Sequence, residues 1–181
     1  MKLDKNKHRP FVVEDYDPNW VLRFEEIKKD LLKVFGSKAE MVEHIGSTSI
    51  VGMKAKPVID VLVVVDNVES LEEEIKGMEL CGYLCGRDYI APRTIIFFKE
   101  NEQGQKTINI HVCEEDSYKI KQFLTTRDYL RSHPDRAKLY SDLKEKNAEL
   151  YKDDYPSYRL AKQEFVDETE RLANEWLKDN D

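Results

Sequence analysis

A single carboxylate inside an apolar strand constrains this chain more than any other feature. From His44 to Val65 the sequence reads HIGSTSIVGMKAKPVIDVLVVV: a short strand, a turn of small residues (Gly46, Ser47, Thr48, Ser49), then a run carrying Asp60. Val58 to Val65 is too apolar on both faces for an edge strand, which places it at the centre of a sheet. An ionised carboxylate buried there without a partner is costly or is forced to protonate. The economical expectation is a partner: a metal, a cation or several donors. The turn, with Lys54 and Lys56 close behind it, is a place where backbone N–H groups and hydroxyls hold phosphate.

The remaining periodicities supply a frame for that strand. Asp17–Pro18 is a helix start, and Trp20, Phe24, Ile27, Leu31 and Val34 recur at helical spacing until Gly36. Glu40 to Ile45 reads as a strand, and Val68 to about Cys81 as a helix with Leu71, Ile75, Met78 and Leu80 inward. Tyr83–Ile90, Thr94–Glu100 and Thr107–Glu114 read as strands, the last two joined by a hairpin turn containing Gly104. Three helices follow: one from Asp116 or Ser117 to Ser132, one opened by Pro134 with Tyr140, Leu143 and Leu150 apolar, and one opened by Pro156. Helix, strands with one crossover helix, then helices is the order of an α+β domain. At 181 residues, with no linker or repeat, residues 1–181 are expected to form one domain.

The motifs GSTS and KPVID at this spacing, with YDPNW (Tyr16 to Trp20), INIHV (Ile108 to Val112), RDYLRSHPD (Arg127 to Asp135) and YRLAKQEF (Tyr158 to Phe165), resemble the GrpB (glutamate-rich protein) family. The Gly-Ser turn before an aspartate-bearing strand also resembles the wider nucleotidyltransferase superfamily. That resemblance implies a mixed sheet of the nucleotidyltransferase type with a helical C-terminal layer. It also implies a site in which Asp60 holds a divalent metal and the turn holds phosphate. The superfamily's second carboxylate, two residues on along the same strand face, is Leu62 here. Its third, on a neighbouring strand, is replaced by Asn109 and His111. GrpB sequences commonly carry H-L-H at that place, so His111 matches the family and Asn109 departs from it. With one carboxylate remaining, Mg²⁺ is expected to bind weakly and only with a nucleotide whose phosphates add oxygen ligands.

The candidate site therefore comprises Asp60 and His111 as catalytic groups, Asp60 also as metal ligand. Gly46, Ser47, Thr48, Ser49, Lys56, Arg93, Asn109, Tyr158 and Lys162 are the candidate ligand-binding residues. Asn109 and His111 share one face of their strand. Metal ligation, general base and phosphate donor all suit His111. Tyr158 and Lys162 are one helical turn apart, which lets Lys162 reach a ligand over the sheet. His44 reads as a cap on its strand end. The runs Glu69–Glu74 and Lys144–Glu149 read as solvated helix faces.

Two functions follow from the resemblance: a nucleotidyl or phosphoryl transferase acting on an unknown acceptor, or a binding module for a nucleotide, a coenzyme-A-related compound or another phosphorylated metabolite. GrpB-like domains fused to dephospho-CoA kinase imply the coenzyme A link. A net charge of −7 argues against nucleic acid as a partner. Cys81, Cys85 and Cys113 form neither a metal spacing nor an even disulfide set, which suits a reducing compartment. No apolar run approaches the ~20 residues of a membrane span, and MKLDKNKHRP lacks a signal-peptide core. A cytoplasmic protein is expected.

Overall fold

The structure, a computed structural model, describes residues 11–180; the N-terminal segment MKLDKNKHRP lies outside them. Five strands, β1 (Met41–Ile45), β2 (Ile59–Val65), β3 (Leu84–Arg87), β4 (Thr94–Glu100) and β5 (Lys106–Glu114), form one sheet in the order β1-β2-β5-β4-β3. β2 and β5 are parallel, and every other neighbouring pair is antiparallel. A parallel pair requires a crossover. Here it runs through helix α2 (Glu72–Leu80) and the β3–β4 hairpin, so β5 occupies the middle and β2 lies beside it, one place from the centre expected above.

Alternation along the strands divides the core between two faces. Val61 and Val63 of β2, Ile110 and Val112 of β5, and Ile95 and Phe97 of β4 pack beneath Trp20, Phe24, Leu31 and Phe35 of α1 (Asn19–Phe35) and Met78 of α2. The Asp17 carboxylate accepts the Asn19 N–H at 2.9 Å just ahead of α1, whose cap position is Pro18, one residue later than the sequence implies. On the opposite face Ile45, Leu62, Val64 and Cys113 pack beneath Ile120, Phe123 and Leu124 of α3 (Tyr118–Ser132). A third cluster joins Ile50 and Met53, beyond the turn, to Tyr129 and Leu130 of α3, Ala137 of α4 (Pro134–Leu150) and Ala173 of α6 (Gln163–Asn180). The C-terminal helices are thereby tied to the segment that follows the small-residue turn.

The helical expectations need three corrections. The Val68 helix is a 3-10 turn followed by α2, and Leu80 points to solvent, 91% exposed, because the helix ends there. Leu150 is likewise exposed at the end of α4. The last expected helix is two, α5 (Tyr155–Leu160) and α6, with Ala161 and Lys162 in the turn between them.

Candidate functional site

Asp60 is the second residue of β2, and the parallel register sets it beside Asn109 of β5, with His111 beside Leu62 one pleat further on. All four share the sheet face that α3 covers, but α3 closes over only part of it. Leu62 is fully buried among the α3 side chains, whereas Asp60 keeps 28% and His111 13% of its side-chain surface open to a cavity of about 310 Å³. The Asn109 amide donates to Asp60 Oδ1 at 2.9 Å, and Lys106 Nζ donates to the Asn109 Oδ1 at 3.1 Å. His111 Nε2 stands 3.8 Å from the same carboxylate oxygen. Burial opposes ionisation of Asp60, but His111, the Asn109 amide and the charge of Lys56 outweigh it and hold the carboxyl below its usual range. The three polar residues expected at one site are therefore brought together.

Within the turn the hydroxyls of Thr48 and Ser49 are bonded inside the protein. Gly46 has φ +69°, and a Cβ there would come 2.7 Å from Asp60 Oδ2, so glycine is required both by the conformation and by the approach of the carboxylate. Ser47 and Thr48 line the cavity. The Thr48 hydroxyl, however, donates to the Val58 carbonyl at 3.2 Å and faces His44 Nε2 at 3.0 Å. His44 must then be the donor, since the hydroxyl proton is already committed. Its ring stacks on Phe24 at 4.7 Å between centroids. Burial, aided by Arg131 and Arg127 and opposed by Asp60, pushes His44 down to about 4 and keeps it neutral. The Ser49 hydroxyl donates to the Gly46 carbonyl at 2.6 Å. The hydroxyl protons of Thr48 and Ser49 are thus committed to backbone carbonyls of the protein rather than free for a phosphate. From behind, α3 clamps the turn: Arg127 donates to the His44 carbonyl at 3.1 Å and Arg131 to that of Ser49 at 2.9 Å.

Arg93 does not belong to the site. Thr94 pairs with Cys113, four residues along β5 from Asn109, roughly 13 Å at strand rise. Arg93 there binds Glu114 at 2.6 Å and Asp116 at 2.7 Å, an ion-paired knot at the other end of the sheet.

The wall facing Asp60 comes from the helices. Tyr155, Tyr158 and Lys162 line it, as does Lys144 of α4, a residue whose Lys/Glu-rich surroundings indicated a solvated face. Lys144 is in fact 2% exposed, its ammonium 4.5 Å over the Tyr140 ring. Lys56 Nζ donates to the Tyr155 hydroxyl at 2.9 Å, and burial lowers its pKa. Lys162 Nζ donates to the Tyr140 hydroxyl at 3.3 Å and sits 5.6 Å from the Tyr158 ring centroid. Tyr158 is completely buried, which pushes its hydroxyl up to about 12 and keeps it neutral. Among the described residues, four lysines (56, 106, 144, 162) and one carboxylate line this cavity, in a chain whose net charge is −7.

A divalent metal finds little here. Asp60 Oδ1 is engaged by Asn109, Oδ2 lies against the Gly46 backbone, and Leu62 fills the position of a second carboxylate. Among the described residues no group of three or more His, Cys, Asp or Glu side chains forms a metal cluster. A hard cation that takes six oxygen ligands is not held by this donor set on its own. No helix among the described residues is long and apolar enough to cross a membrane.

The fold and this site define an α+β protein with a turn-strand aspartate facing a lysine-lined cavity, and known proteins share its fold. The profile described as "GrpB protein" matches residues 10–171, and the chain belongs to the GrpB family. It is 33% identical over 174 residues to glutamate-rich protein GrpB of Alkalihalophilus pseudofirmus, covering 92% of this chain and 97% of that one. It is 36% identical over 164 residues to UPF0157 protein YqkA of Bacillus subtilis, covering 90% of this chain but 47% of the relative, so it spans about half of that protein's length. The crystal structure of conserved protein GrpB from Enterococcus faecalis superposes with a TM-score of 0.85 at 31% identity, over 90% of this chain and 96% of the other.

Proposed function

We propose that the cavity binds a nucleotide or another phosphorylated small molecule, with its phosphate against the lysine wall and a polar part against Asp60 and Asn109. The observation that carries this reading is the charge imbalance: four lysines around one carboxylate in an acidic protein. Several cations in a confined space repel one another and lose hydration, so the arrangement is stabilised by an anion that supplies both charge and acceptors. Mg²⁺ enters this reading only as part of a nucleotide complex, because the phosphates would bring the oxygens that the protein lacks.

The test is calorimetric titration and thermal shift with AMP, ADP, ATP, coenzyme A, dephospho-coenzyme A and ribose 5-phosphate, against adenosine as the uncharged control. Phosphorylated compounds should stabilise the protein and adenosine should not. Ser47→Ala combined with Lys56→Ala should weaken binding about 10- to 100-fold, the range for losing charge-assisted hydrogen bonds, with little change in the melting temperature of the free protein. A panel without effect, or stabilisation by adenosine alone, removes the reading.

A transferase reading is favoured by one further observation: ionised Asp60 and His111, 3.8 Å apart, face the same cavity as the lysines. A carboxylate and an imidazole in that position suit proton removal from an acceptor hydroxyl. Asp60→Asn that keeps nucleotide binding but loses nucleotide turnover would support transfer; a wild-type protein that binds without turnover leaves the binding module.

A further inference from the structure

Buried polar groups in folded proteins almost always find hydrogen-bond partners, and exceptions at a cavity wall point to what fills it. Lys144 Nζ and the Tyr158 hydroxyl are two such exceptions: both are buried atoms without a hydrogen-bond partner, on side chains 2% and 0% exposed, and both residues line the cavity. They come from different elements, α4 and α5, and only the tertiary fold sets both on the lining of one cavity. The ionisable groups facing Lys144 are Tyr140 on its own helix, Tyr158 on α5, Lys162 after α5 and Lys56 from the loop before β2. Asp60, on the opposite wall, is the one carboxylate among the described residues that line the cavity, and the two lysines repel the charge of Lys144.

We propose that Lys144 and the Tyr158 hydroxyl form an anion subsite for a phosphate group, and that Lys144 takes up a proton from solvent as the phosphate enters. This rests on the reading of the cavity as a phosphate site. In the free protein the protonated amine has no acceptor and two cationic neighbours; burial first, then Lys162 and Lys56, disfavours its charged form and pushes it well below its ordinary range. A phosphate reverses all of these influences at once, offering acceptor oxygens and negative charge. The Tyr158 hydroxyl, neutral and fixed by its packing against Phe11 at 4.5 Å between ring centroids, donates to the same group. Lys56 and Lys162 already have tyrosine hydroxyls as partners and remain available as flanking charges.

The experiment is titration of inorganic pyrophosphate at pH 8, without metal, in Tris and in HEPES, whose different heats of ionisation report protons exchanged on binding. Wild type and Lys144→Met are compared, so the titration of pyrophosphate itself is common to both. Wild type should take up more protons than Lys144→Met and should bind about 10- to 100-fold more tightly. Lys162→Met should bind more weakly and, because the Lys162 charge no longer opposes protonation of Lys144, should take up fewer protons than wild type but still more than Lys144→Met. Lys144→Met should also melt higher than wild type in the absence of ligand, since a methionine replaces a buried unpaired amine. That gap should narrow as pH rises toward 10.5, the ordinary lysine value, where the unfolded chain also gives up its proton. Equal affinity and equal proton uptake in wild type and Lys144→Met overturn the subsite. So does a protein that ignores pyrophosphate while binding nucleotides or coenzyme A. A protein that binds no phosphorylated compound at all overturns the functional reading instead, and the subsite with it.

Discussion

The two ends of the β2–β5 pair are built from the same kinds of side chain and end in opposite states. At the far end, Glu114 accepts both the Val68 N–H and the Arg93 guanidinium, and Arg93 also holds Asp116. Each charge there has a bonded partner. At the near end, Asp60 has an amide and an imidazole for company, and the lysines across the cavity have tyrosines or no hydrogen-bond partner. The difference teaches where to look for function: a charged cluster whose members satisfy one another is architecture, and one whose members do not is poised for a ligand.

The sharpest way to break this contrast is to add a carboxylate at the near end. Leu62→Asp creates the Asp-x-Asp spacing of the nucleotidyltransferases that the sequence resembles, but Leu62 is fully buried among Ile45, Val64, Cys113 and the α3 side chains. We expect a loss of about 4 kcal/mol in denaturant unfolding, from lost packing and an unpaired buried charge, and no gain in Mg²⁺ affinity. Tight metal binding by this variant would show that the cavity reaches further under α3 than its present packing allows.

Acid should open the near end first. His44 is neutral when folded, with its pKa lowered from 6.5 to about 4 chiefly by burial, so the unfolded chain binds the extra proton between those values. Stability from this group is intact above pH 6.5 and lost as pH falls toward 4, by about 3 kcal/mol in total. Asp60, whose pKa is lowered below 3.8, adds its loss only at more acid pH. Unfolding free energies measured from pH 7 to 4 should show the decline, and His44→Gln should flatten it; an equal slope in both proteins would place the acid sensitivity elsewhere.

The far end yields a smaller effect of a different kind. Glu114→Ala leaves the Val68 N–H without its acceptor and should cost about 1–3 kcal/mol. It should leave the affinity for phosphorylated compounds unchanged, because neither Glu114 nor Arg93 lines the cavity. A change in affinity would mean that the two ends communicate through β5. Smallest of all is Mg²⁺ alone, which should shift the melting temperature of wild type by less than the nucleotide–Mg²⁺ pair does. A strong response to the free metal would make His111 a ligand and raise the transferase reading above the binding one.

Much of the near end was legible along the chain. Strand periodicity sets Asn109 and His111 on one face of their strand, opposite Ile108, Ile110 and Val112, and Asp60 stands out as the one acid in an apolar run; that Asp60 shares their face comes from the β2–β5 register. The glycine before the hydroxyl turn carried its meaning too, although the reason, contact with Asp60 Oδ2, needed coordinates. Arg93 was misplaced because a cation near a strand start looks alike at either end of a sheet until the register is known.

Local rules, then, determined the α+β class, the strand bearing Asp60 and the side to which its polar neighbours point, because periodicity and turn chemistry act over a few residues. The other wall of the cavity was decided by tertiary structure. In KEKNAE, Lys144 has the surroundings of a solvated helix residue. Only the packing of α4 against α5 and the loop before β2, elements close in space but separated along the chain, removes it from water and sets it on the lining of the cavity that holds Asp60. Desolvation is a property of everything around a side chain, and no stretch of six residues contains it.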